Sequence, residues 1–334
     1  MLESAIVWVR FQIGQKARKM FVTFPRIRSQ IAQVDKHMST PQQVRATPTG
    51  ARTQGEFFGS TSKPGVEPVE RPHSSTALHW PEYAMEGALL GLFMISACAF
   101  KVIFQLPHSP IRQAISSAEL RRVLTGIATG LTAIALIYSP WGQRSGAHFN
   151  PSVTLTFLRL GKIKRADAGF YFLFQFAGAA IGVFVAAIML GSQIGDASVR
   201  YAATYPGSSG AAVAAVGEFA ISFLQMTIVL TVSSHPRFSR LTGIVAGLMV
   251  PAYIAIEAPY SGTSMNPART FGSALPSGIW HGFLIYLLVP PVAMLAAAQV
   301  FVWRRGHSAV HCCKLDHSPK RDCIFCGMKG TAHE

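Results

Sequence analysis

Asparagine is almost missing from this 334-residue chain: there are two, Asn150 and Asn266, and a proline follows each. Charge is scarce as well, at 13% of residues where a soluble domain carries about a quarter. That scarcity, a mean hydropathy of +0.31 and long apolar runs exclude an ordinary soluble domain and indicate several membrane-spanning helices. Acids are the rarer sign, with 15 Asp and Glu against 30 Lys and Arg. In a soluble protein the net charge of +15 would suggest a nucleic-acid partner. Here the basic residues flank apolar runs, so the bilayer surface accounts for them and no nucleic acid is expected. Cysteine is sparse, five in all. Cys98 lies in an apolar run and reads as a small core residue. The apolar runs hold no His/Cys/Asp cluster and no nucleophile–base pair, so no enzyme chemistry is expected there.

What is present is a pair of matched motifs. Ser145-Gly146-Ala147-His148-Phe149-Asn150-Pro151-Ser152 and Ser261-Gly262-Thr263-Ser264-Met265-Asn266-Pro267-Ala268 share the order Ser-Gly, three residues, Asn-Pro, small residue. Asn is a favoured helix N-cap and Pro a favoured first helical residue. Each motif therefore reads as a helix start, with free N–H groups and the positive dipole end facing out of it.

Apolar runs place six spans at 82–104, 119–138, 166–190, 211–232, 241–257 and 280–303, each close to the length that crosses a hydrocarbon core of about 30 Å. One motif falls between spans two and three, the other between spans five and six. The mostly uncharged stretches after them, Val153 to Leu160 and Thr270 to Leu275, are too short to cross and are read as re-entrant half-helices. Leu124 to Leu131 matches Leu241 to Leu248, including the pairs Gly126/Gly130 and Gly243/Gly247, and Glu86 in span one is mirrored by Glu218 in span four. Two halves of three spans must be inverted relative to each other. The fold class is thus an all-α membrane protein: six transmembrane helices plus two re-entrant half-helices in an inverted repeat. Six spans put both termini on one side, and 24 of the 30 Lys and Arg residues fall on that side, so the termini are expected in the cytoplasm. The division is 1–80, a basic and disordered extension; 81–304, the membrane domain; and 305–334, a Cys/His-rich tail. The extension opens with an apolar run of five residues, Ala5 to Val9, too short for a signal peptide. It could serve as a basic amphipathic anchor, or the true start could be Met38.

Two half-helices entering from opposite faces would meet near the midplane, where their positive ends and Asn N–H groups favour uncharged hydrogen-bonding molecules over cations. Arg269, an ionised group in a re-entrant segment, is expected to line an aqueous path.

At these residues the chain resembles the aquaporin and major intrinsic protein channels, over about 82–303. The resemblance rests on the two Asn-Pro boxes, Arg269 after the second, Glu86 and Glu218, Gln175 in span three and the duplicated glycine pairs. It implies a right-handed six-helix bundle with two half-helices, one pore per subunit, a homotetramer, no cofactor, and passive passage of water and small neutral solutes without protons or ions; the expected location is the cytoplasmic or plasma membrane. It also implies a selectivity constriction at Thr129, Ile254, Thr263 and Arg269, with Gly130 as the alternative to Thr129. Water-selective relatives carry an aromatic ring and a His there, and this chain has neither. With Ser152 and the Ser264-Met265 pair, the set resembles the plant nodulin-26-like channels, which pass glycerol, boric acid and similar metalloid hydroxides. Thr270 stands where glycerol facilitators carry Asp. Ser152 stands where the family usually has Ala and is expected to change the pore polarity slightly.

Other readings compete. Glu86 and Glu218 are either proton carriers or acceptors that hold loop backbone, and we take the second. The first would suit an ion-coupled secondary transporter with broken helices, as Glu257 would. A sensor whose tail binds metal is a further rival. His148 reads as a structural loop partner, and the paired glycines as close helix crossings. In the tail, Cys312, Cys313, Cys323 and Cys326 with nearby His residues admit tetrahedral zinc, a redox pair or an unstructured segment.

Overall fold

The computed structural model of the chain describes residues 78–317 and 323–328. The basic extension, with its anchor and start-site readings, lies outside the described residues. Among the described residues, six helices are long and apolar enough to cross a membrane. In chain order the helices are α1 (Trp80–Gln105), α2 (Pro110–Ala114), α3 (Ala118–Tyr138), α4 (Pro140–Ser145), α5 (Pro151–Arg159), α6 (Arg165–Leu190), α7 (Ala211–Ser233), α8 (Thr242–Ile256), α9 (Ala258–Ser261), α10 (Pro267–Ser277) and α11 (Phe283–Arg305). No strand occurs among the described residues. The spans α1, α3, α6, α7, α8 and α11 agree with the apolar runs to within a few residues. The short helices α2, α4 and α9 carry no apolar signal of their own and escape a hydropathy reading.

Packing follows the internal repeat. α1 lies chiefly on α6 and α7 on α11, so these two pairs mirror each other; α3 lies on α8 and joins the halves. Small residues make these approaches possible. A Cβ on Gly130 would sit 2.5 Å from the Gly247 carbonyl oxygen, and one on Gly178 would sit 2.0 Å from the Gly87 carbonyl oxygen. No side chain fits in that space, so the paired glycines are crossing points, as the sequence repeat suggests. Large apolar side chains such as Leu131, Ile181, Ile188, Val216 and Leu284 stand exposed on the outer face, which suits lipid contact.

The two half-helices begin where the Asn-Pro pairs place them. Asn150 caps α5, its side chain accepting from the Ser152 N–H; Asn266 caps α10, accepting from the N–H groups of Ala268 and Arg269. Extended backbone at each Asn and proline at the first helical position complete both starts.

Candidate functional site

The loops that lead into α5 and α10 have the same backbone. Gly146, Ala147 and Phe149 adopt positive φ, and so do Gly262, Thr263 and Met265 at the matching positions. For the non-glycine residues this costs about 1–2 kcal/mol each, so something must hold them. Glu86 and Glu218 do so. Glu86 accepts from Ser145 Oγ (2.8 Å) and from the N–H groups of His148 (3.0 Å) and Phe149 (2.6 Å). Glu218 accepts from Ser261 Oγ (2.7 Å) and from the N–H groups of Ser264 (2.6 Å) and Met265 (2.7 Å). Two tyrosines repeat the correspondence, Tyr171 donating to the Ser145 carbonyl and Tyr286 to the Ser261 carbonyl, each at 2.6 Å. Gln175 Nε2 adds a further donor to Glu86 at 3.1 Å.

The asparagines then tie the halves together. Asn150 Nδ2 donates to the Met265 carbonyl (2.9 Å) and Asn266 Nδ2 to the Phe149 carbonyl (2.8 Å). A carboxamide has two N–H groups, so one on each Asn is engaged across the interface and one remains. The expectation that both amides simply face the path is refined accordingly.

Both asparagines line a cavity of about 400 Å³ that runs along the bundle. Thr129, Ile254, Thr263 and Arg269 line the same cavity; Gly130 does not, since it faces Gly247. The Thr129 hydroxyl bonds back to the Thr125 carbonyl (2.8 Å) and the Thr263 hydroxyl donates to Glu257 Oε2 (2.7 Å). Arg269 keeps a buried Nη1 with no protein partner among the described residues. Pro151, Ser152, Pro267 and Ala268 are packed away from the cavity. The expected effect of Ser152 on polarity is therefore corrected: as the second residue of α5 it is fully buried, and its side chain does not line the cavity.

His148 joins the tail to α5. Its Nε2 meets the Cys313 carbonyl at 2.9 Å and its Nδ1 meets Thr154 Oγ1 at 3.1 Å. A carbonyl only accepts, so this network assigns the proton to Nε2. The tail is corrected as well. Cys313 is fully buried in the apolar core, and the grouped side chains are Cys312, His317, Cys323 and Cys326. Cys313 is fully buried while Cys312 is half-buried, and of the two only Cys312 belongs to the group. Cys312 sits beside Cys313 and Cys323, and hydrogen bonding with both pushes its thiol up, while the bond from Cys312 holds the Cys323 thiol low.

Several lining residues went unread in the sequence. Lys101 and Arg122 line the cavity beyond Arg269, and Leu315 of the tail lines its other end. Lys101 looked like flanking charge because it falls near the end of an apolar run. Tyr171 and Tyr286 had a usable signal: they follow their motif serines by 26 and 25 residues.

Inverted halves, twin capped half-helices and a shared axial cavity define a polytopic membrane protein built on an internal helical repeat. The model of the Major intrinsic protein family matches residues 84–301, and the chain belongs to that family. It is similar to Aquaporin NIP2-2 of Zea mays, 33% identical over 275 residues, covering 80% of this chain and 90% of that protein. It is also similar to Aquaporin NIP1-1 of Arabidopsis thaliana, 35% identical over 184 residues (53% of this chain, 62% of that protein). The chain spans about three fifths of the length of several such plant relatives, among them the probable aquaporin NIP-type of Nicotiana alata. Among solved structures, the aquaglyceroporin from Plasmodium falciparum aligns with a TM-score of 0.54 at 18% identity, covering 66% of this chain and 95% of that one, which establishes the fold alone.

Proposed function

We propose that this chain is a passive channel for water and small neutral, hydroxyl-rich solutes such as glycerol or boric acid. One observation carries the reading: two capped half-helices present their Asn amides to one cavity that Arg269 also lines with a free donor. Fixed donors and positive dipole ends suit oxygen-bearing neutral molecules and oppose cations. Thr129, Ile254, Thr263 and Arg269 form the selectivity constriction in this reading, with Glu86, Glu218, Gln175 and His148 in support. No catalysis and no cofactor takes part in permeation. The protein works as a homotetramer in the plasma membrane with both termini cytoplasmic, the side on which most Lys and Arg fall. An ion-coupled transporter is not favoured, because the acids best placed for coupling, Glu86 and Glu218, are occupied by loop N–H and hydroxyl donors.

Light scattering on proteoliposomes given water, glycerol, urea and boric acid gradients in turn tests the reading. Flux should scale with the gradient and ignore proton and sodium gradients; uphill accumulation driven by either ion would favour the transporter. Arg269→Val should admit cations. A unit charge a few ångströms from the path contributes a few kcal/mol at an effective dielectric of about 20, so proton or sodium leak should rise roughly tenfold or more. Lys101 remains to blunt the effect. Liposomes bearing the variant that stay as tight as wild type would remove Arg269 from that role.

A further inference from the structure

We propose that Cys312, His317, Cys323 and Cys326 bind one zinc ion, and that this ion clips the tail over one mouth of the cavity and so restricts flux. The second half of the proposal rests on the channel reading; the first does not.

The side-chain set is right for zinc. The four ligand atoms lie within 4.8 Å of one another. Cys312 and Cys323 sulfurs are 3.6 Å apart, and His317 Nε2 is 3.2 Å from the Cys326 sulfur. Zn–S bonds of about 2.3 Å and Zn–N bonds of about 2.0 Å on a tetrahedron put neighbouring ligand atoms about 3.5–3.8 Å apart. All the cysteines are free thiols, and 3.6 Å is far beyond the roughly 2.05 Å of a disulfide. The Cys323–Cys326 turn is shaped like a knuckle. Gly327 takes a positive φ directly after the last cysteine and its N–H returns to the Cys323 carbonyl at 3.0 Å. Three thiolates and an imidazole are a soft, tetrahedral set, which selects zinc over calcium or magnesium.

The ligands also bracket the residues that touch the cavity. Residues 313–316, between Cys312 and His317, run along the loop that leads into α5. The Leu315 N–H donates to the Gly146 carbonyl (3.1 Å), Lys314 Nζ to the Gln143 carbonyl (2.9 Å), and Gln143 Nε2 to Asp316 Oδ2 (2.9 Å). The Cys313 carbonyl meets His148, two residues before Asn150. Leu315 itself lines the cavity. Between the other two ligands, Phe325 stacks on the His148 ring with centroids 6.4 Å apart. One ion would thus tie two separate segments, each seated on the same loop. Its binding energy would add to these few contacts in offsetting the entropy of ordering the tail.

The full-length protein, purified without chelators, should contain about one zinc per chain by elemental analysis. Cys323→Ser with Cys326→Ser should lose it, and Cys313→Ser should keep it. Cobalt loaded in place of zinc should give the visible bands of a tetrahedral thiolate site. Protein with all three thiols of the site freely titratable and no metal uptake from zinc chloride would overturn the site. In proteoliposomes, stripping zinc from wild type with a chelator should raise glycerol and water flux several-fold, zinc chloride should reverse it, and Leu315→Ala should raise flux with zinc still bound. Zinc bound but flux indifferent to its removal would overturn the clip. Absence of flux in zinc-bound and zinc-free protein alike would instead sink the channel reading and the clip with it, while the metal content would still decide the site.

Discussion

Protein carrying Ile254→His together with Thr129→Phe is expected to lose most of its glycerol and boric acid flux while keeping most of its water flux. In wild type neither residue offers the path a free hydrogen-bond donor. Ile254 has none, and the Thr129 hydroxyl is bonded back to the Thr125 carbonyl of its own helix. The part of the wall made by Thr129 and Ile254 is therefore without donors and built of small groups. A ring on each position narrows that space, so a solute bearing several hydroxyls must pass with at least one of them unpaired. Each unpaired buried group costs about 1–3 kcal/mol, which lowers the rate roughly fivefold to a hundredfold. Water, smaller and with fewer groups to satisfy, loses little. Stopped-flow light scattering on proteoliposomes gives both rates from one preparation. Solute flux unchanged in the double variant would place the constriction elsewhere, and so would a wild type that passes water but neither solute.

Glu218→Ala is expected to damage the fold itself. The carboxylate holds Ser261 Oγ and the N–H groups of Ser264 and Met265, in a loop where Thr263 and Met265 stand at φ of 57° and 53°. Alanine would leave three buried donors without an acceptor, at about 1–3 kcal/mol each, and would release backbone that a β-branched residue does not adopt by itself. The loss of at least about 3 kcal/mol should appear as a large drop in thermal midpoint and in monodisperse yield in detergent. Glu86→Ala should behave alike, since its contacts mirror these. Glu218→Gln keeps one acceptor oxygen and should fall between the two. An alanine variant as stable as wild type would show that the carboxylate is not what holds the loop, and would reopen the proton-carrier reading.

Much of the site was legible because its chemistry is local. Asn150 and Asn266 announce helix starts by their position before proline, and the two glutamates by their place in the repeat. Lys101, Arg122 and Leu315 were not legible in this way. Each is ordinary in its own segment, flanking charge or tail, and reaches the cavity only because distant segments fold around it. His317, and not Cys313, completes the tail group for a similar reason: composition marks a Cys/His-rich tail but cannot say which of its members come together. Ser152 shows the same limit on a single helix turn, since a small polar residue beside a cap lines the cavity or packs according to what lies against it.

By itself the sequence determined the six spans, their inverted duplication, the two half-helices and the glycine crossings. These follow from apolar run length, the dihedral preferences of Asn-Pro and the absence of a side chain at glycine, all of which act within a few residues. Only the tertiary structure decided how the halves join. Asn150 reaches a carbonyl 115 residues away and Asn266 one 117 residues away, so each amide keeps one hydrogen rather than two for the cavity. Likewise the tail meets its loop across 165 residues, from His148 to Cys313. Contacts at such separations depend on how whole helices pack, and no local preference of the chain specifies them.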